Sequence, residues 1–198
     1  MNTPQAINVR VTQSGIFISL SLDASNLYTV AKRKLDIKKT DFIKDPEVWD
    51  ISTEVSKQYS VAIVFAQAFL ESFIFDYSSE FLGADYFVDY LDKLDTLSKY
   101  IIVPELISGK ATDRNSTGIN WLREIVRYRN DMIHSKSFIG NDIEKAKLEK
   151  IINRHKAQGR VTRQLPKALL AILQELYDQH PCDITADYID RIKSHRQK

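Results

Sequence analysis

The chain has 198 residues, 43% of them hydrophobic, and a net charge of only +2. That length supports one sizeable core without demanding two, and the near-neutral total does not by itself mark a nucleic-acid binder. A single cysteine, Cys182, leaves no internal disulfide, no CxxC pair and no thiolate metal cluster, and suits a reducing cytosol.

In chain order, the opening MNTPQAINV lacks the charged and apolar regions of a signal peptide. INVRV (7–11) and IFISLSL (16–22) alternate apolar and polar residues, which predicts a β-hairpin turning at Gln13-Ser14-Gly15. With the charged connector AKRKLDIKKTDFIKD (31–45), this hairpin is expected to form a first unit, residues 1–45.

A long helix is predicted from a cap at Asp50 or Ser52 to about Phe81. Tyr59, Ile63, Ala66, Leu70, Phe73 and Tyr77 recur along it every three or four residues, and Gly83 comes next as its stop. The run VAIVFAQAFLESFIF (61–75) inside it carries Gln67 and Glu71 and falls short of the roughly 20 residues of a membrane span. A second helix is expected over 84–100, with Pro104 breaking the chain's helical course or restarting it. GKATDRNSTG (109–118) reads as loop, with Ser116 or Thr117 capping the next helix. That helix should end near Gly140-Asn141 after an extended SKSFI. Helices are then expected at about 143–157 and 165–179, separated by QGRVT, and near 185–195. The helical part is assigned to 46–180, and 181–198 to a basic terminal helix and tail. The fold expected is an all-α bundle with a small N-terminal β-hairpin and extra C-terminal helices.

Charge is unevenly placed. Acidic residues gather from Asp76 to Asp95, and basic ones from Arg114 to Lys167, a distribution that fits internal or subunit pairing as well as a polyanion site. RHKAQGRVTR (154–163) can grip phosphates or form a solvated turn.

The helix carrying RYRNDMIH (127–134) raises the sharper question. On a wheel at about 100° per residue, Ile119, Trp121, Leu122, Ile125, Val126, Met132 and Ile133 fill an apolar arc, and Arg129 falls near its middle. A guanidinium there needs a carboxylate, an anionic ligand or a surface that is not buried. Glu71, with Gln67 one turn before it, is the internal candidate; the alternative is an arginine that snorkels to water. Asn130 and His134 are four apart and so neighbours, which lets Asn130 orient the imidazole. His134 can then act as base or acid while Arg127 and Arg129 hold a phosphate. That set suits ribose-assisted RNA cleavage, in which the 2′-hydroxyl is the nucleophile and no metal is required. A histidine simply interacting with the helix C-terminus is the other reading.

Arg129-Asn130, three residues, then His134 resembles the signature of the HEPN superfamily (higher eukaryotes and prokaryotes nucleotide-binding). The resemblance covers roughly residues 50–137: a long helix with an embedded acid, a second helix, a loop, then the signature helix. It implies an up-and-down bundle that dimerises about the signature helices. It also implies a metal-independent endoribonuclease with no cofactor, of the kind common in toxin–antitoxin, abortive-infection and other defence systems. Carried over, Arg129 and His134 are catalytic and Asn130 orients. Glu71 and Gln67 support them, Arg127, Arg123 and Lys136 are candidates for RNA binding, and no residue is assigned to a metal. The partners implied are RNA, a second copy of the chain, and an antitoxin or other protein, with no membrane and a cytoplasmic location. The alternative is a non-catalytic bundle that binds nucleotide or RNA or serves as a protein-interaction scaffold.

Overall fold

The computed structural model describes residues 13–37, 45–133, 153 and 156–195. Every regular element among them is helical. In order they are α1 (Gln13–Ile37), α2 (Pro46–Leu82), the short α3 (Ala84–Tyr86) running into a π-helical turn (Phe87–Leu91), and α4 (Thr96–Ser108). Then come α5 (Thr117–Ile133), α6 (156–163), α7 (Leu165–Gln179) and α8 (Asp183–His195).

The predicted hairpin is corrected over the part that is described. Residues 16–22 lie within α1, while INVRV (7–11) falls outside the described residues. Alternation of Ile16, Ile18, Leu20 and Leu22 imitates a strand, but the buried positions are Ser14, Ile18, Ser21, Leu22, Ser25 and Tyr28. Their spacing of three and four marks one helical face, rich in small hydroxyl residues. That face lies antiparallel on α2: Ser14 Oγ donates to Asp76 Oδ2 (2.7 Å), and seven residues on Ser21 Oγ donates to the Ala62 carbonyl (3.0 Å). Small side chains permit the close approach, and the buried serine hydroxyls find acceptors, Ser14 and Ser21 on α2 and Ser25 at the Thr162 carbonyl (2.6 Å), so burial costs little.

α2 is the central element. Asp45 caps it, accepting from the Glu47 amide (3.0 Å), with Pro46 in the first turn, and Gly83 at φ 90° terminates it. It begins a turn earlier than the predicted Asp50 or Ser52. Ala62, Ile63, Ala66, Phe69, Leu70, Phe73, Ile74 and Tyr77 are wholly buried, each large side chain contributing about 1.5–3 kcal/mol. They share one cluster with Ile18 and Leu22 of α1, Leu122 and Ile125 of α5, Leu169 and Leu173 of α7, and Tyr188 and Ile192 of α8. Among the described residues α2 is also the one helix long and apolar enough to cross a membrane; here its apolar face is the core of the bundle.

The helix expected over 84–100 is two pieces. The chain leaves the π-helical turn at Asp92, and Asp95 starts α4 by accepting from the Ser98 amide (3.1 Å) and hydroxyl (2.6 Å). Those bonds hold the Asp95 carboxyl below the usual carboxylate range. Pro104, expected to break the helix, is buried inside α4, which runs on to Gly109 in the left-handed region at φ 69°. QGRVT, expected to separate two helices, is itself helical within α6; the break comes at Gln164, ahead of Pro166. The predicted end of the signature helix and most of the helix at 143–157 lie outside the described residues.

Candidate functional site

α5 is held at its start from two sides. Ser116 Oγ accepts from the Ile119 amide (3.2 Å) and donates to Glu175 Oε2 (2.5 Å), and the Gly118 amide donates to Glu175 Oε1 (2.6 Å). A carboxylate from α7 thus supplements the serine cap at the positive end of the helix dipole. The expected cap at Ser116 is found; the second grip from Glu175 lies 57 residues away in sequence and leaves no local signal.

From that anchor, α5 buries Gly118, Ile119, Leu122, Ile125 and Tyr128. The buried position at the turn in question is Tyr128, and Arg129 stands beside it, half-buried. The core stripe therefore runs slightly to one side of the arc expected, which relieves the misplaced guanidinium. Arg129 Nη1 donates to Asn130 Oδ1 (3.1 Å), and among the described residues no carboxylate pairs with it. Asn120, Arg123, Arg127 and Asn130 succeed one another along the same rim at spacings of three and four. His134 and Lys136, the next members of the sequence set, lie outside the described residues.

The pairing expected between Glu71 and Arg129 is replaced by another. Glu71 Oε2 takes Lys99 Nζ of α4 at 2.9 Å, and Glu71 Oε1 accepts from the Thr96 hydroxyl. Gln67 is near as expected, but its amide donates to Thr96 Oγ1 (2.9 Å). The Lys99 side chain is only 7% exposed and also lies 5.4 Å from the centroid of Phe87. Glu71 therefore neutralises a buried cation between α2 and α4. The criterion that singles out Arg129, a charge inside an apolar run, also singles out Lys99 in TLSKYIIVPELI (96–107).

Beside that rim of α5, Arg160 of α6 makes a fork to Glu124, with Nη2 at 2.7 Å from Oε1 and 2.9 Å from Oε2. Its guanidinium lies 5.7 Å from the Trp121 ring centroid. Arg127 donates to Tyr128 Oη (2.7 Å), and its Nη2 is 4.0 Å from Glu124. Arg123 donates to Asn120 Oδ1 (2.9 Å). Arg123, Arg127 and Arg160 with Trp121 and Glu124 line an open groove of about 490 Å³. Among the described residues, no cluster of three or more His, Cys, Asp or Glu has the makings of a metal site.

Set against protein-family models, curated proteins and solved structures, the chain matches none.

Proposed function

We propose that the protein is a metal-independent endoribonuclease of HEPN type, acting as a homodimer in the cytoplasm, in a toxin–antitoxin or other defence setting. What supports the reading is the Arg129-Asn130-x3-His134 set in the sequence, whose first two members lie near the end of α5, with Arg129 bonded to Asn130 and unclaimed by any carboxylate among the described residues. An arginine that no described carboxylate holds can contact a phosphate without first giving up one of those partners.

In this reading His134 withdraws the proton of a ribose 2′-hydroxyl, or delivers one to the leaving oxygen. The 2′-oxygen attacks the adjacent phosphorus and the bond to the 5′-oxygen breaks. One product ends in a 2′,3′-cyclic phosphate and the other in a 5′-hydroxyl. Arg129 stabilises the charge gathering on the phosphoryl oxygens. Incubating purified protein with total RNA in EDTA tests the claim. Cleavage is expected from the wild type, and loss of at least about a hundredfold from Arg129→Ala or His134→Ala. Equal cleavage by His134→Ala would sink it.

A second reading is favoured by a different observation. Ile16, Leu20, Leu27 and Val30 form an exposed apolar line along α1, each at least 40% exposed. That line suits a scaffold that docks a partner helix. Growth on induced expression separates the two: toxicity relieved by Arg129→Ala favours the ribonuclease, and harmless expression of all variants favours the scaffold.

A further inference from the structure

Arg160 belongs to a stretch that the signature does not reach, yet it shares a groove with the rim of the signature helix. Among the described residues, three guanidinium groups, on Arg123, Arg127 and Arg160, line the groove with one carboxylate, Glu124, an excess of two positive charges. The groove's lining on α5 runs from Thr117 to Arg127, ten steps along the helix and about 15 Å. That is long enough for several nucleotides of an extended strand, which a site for one small anion would not need. Trp121 adds an aromatic surface to the wall, the usual complement of basic residues where single strands are held without sequence preference.

Glu124 occupies the arginine in the way a phosphate would. It accepts both contacts of Arg160 at 2.7 and 2.9 Å and stands 4.0 Å from Arg127. The Glu124 side chain is 26% exposed and that of Arg160 is 53% exposed, so the pair is open to competition from solution. Solvent-open ion pairs contribute little, so a phosphate can displace the carboxylate.

We infer that the groove between α5 and α6 is a binding track for the phosphate backbone of single-stranded RNA, with Glu124 as an internal competitor that holds Arg160 until a phosphate replaces it. The choice of RNA rests on the ribonuclease reading; the polyanion site itself rests on the geometry. Strand enters along Asn120 and Arg123, and the track leads down α5 toward Asn130.

Fluorescence anisotropy of the full chain with a short labelled 2′-O-methyl oligoribonucleotide, which cannot be cut by 2′-hydroxyl attack, reads binding alone. Arg160→Ala is expected to weaken binding about tenfold and to flatten the plot of log affinity against log salt by about 0.7. Glu124→Gln is expected to do the opposite, tightening binding several-fold and steepening the plot by a similar amount. A merely structural pair would make both variants weaker or leave both unchanged, and either result overturns the proposal. Arg123→Ala, which lacks the ion pair to Glu124, carries the same expected flattening should Arg160→Ala fold poorly. Protein that binds with these opposite signs yet never cuts unmodified RNA keeps the track and loses the ribonuclease reading. Protein that cuts, but whose variants bind as the wild type does, loses the track alone.

Discussion

Gly118 shows how little room the start of α5 has. A Cβ there would collide with the Glu175 carboxylate and come within 3.0 Å of the Ala171 carbonyl. Gly118→Ala is therefore expected to destabilise by about 1–3 kcal/mol, read from urea melts, since the carboxylate must move and give up the amide it accepts. A neutral effect would mean that the Glu175 grip is not formed. Lys99 is the other residue on which stability turns. Glu71→Ala takes the nearer carboxylate from a nearly buried ammonium and leaves it Asp92 at 3.9 Å, so the cost should fall between about 0–1 kcal/mol, as for an exposed pair, and roughly 3–5 kcal/mol, as for a broken buried one. A double-mutant cycle between Glu71 and Lys99 should show coupling, whereas Glu71 and Arg129 should add. Glu71 is recognisable from the sequence as a charge that needs a partner. Which cation it meets is not, because that choice is set by the packing of α4 on α2 and not by any local spacing.

Much of the element scale is legible in the sequence. The three- and four-residue recurrence in α2, the stop at Gly83, the cap at Ser116 and the span of α7 all derive from periodicity and turn chemistry, and the structure has them. α1 imitates a strand because its buried face uses serines where a helix normally uses apolar residues, leaving Ile16 and Leu20 outside to complete a false alternation. The corrective signal is Ser14, Ile18, Ser21 and Ser25, spaced like a helix. Close approach of α1 to α2 gives a direct check. Ser21→Leu should force the helices apart and lower stability by about 1–3 kcal/mol in denaturant melts, while Ser19→Leu, on the exposed side, should change little. Equal effects would contradict the packing described.

For the molecule as a whole, three tyrosines report on the core. Burial pushes the Tyr28, Tyr77 and Tyr100 hydroxyls above their ordinary value near 10. Above that ordinary value the unfolded chain gives up these protons first, so the native state binds more of them. The contribution of these tyrosines to stability should be flat below about pH 10 and fall as pH rises beyond it toward the folded values. Tyr77→Phe should reduce the slope in melts taken across that range; an unchanged slope would mean that Tyr77 does not contribute. The function claimed for the whole molecule comes down to whether the ribose 2′-hydroxyl is the nucleophile. The direct measurement is to present the protein, in EDTA, with an oligonucleotide of deoxyribose units containing a single ribose at a mapped cut site, and to identify the new ends by mass spectrometry. The expected result is cleavage only at that ribose, with a 2′,3′-cyclic phosphate and a 5′-hydroxyl, abolished by His134→Ala. Products ending in 3′-hydroxyl and 5′-phosphate, or cleavage that survives replacement of the ribose, would contradict it.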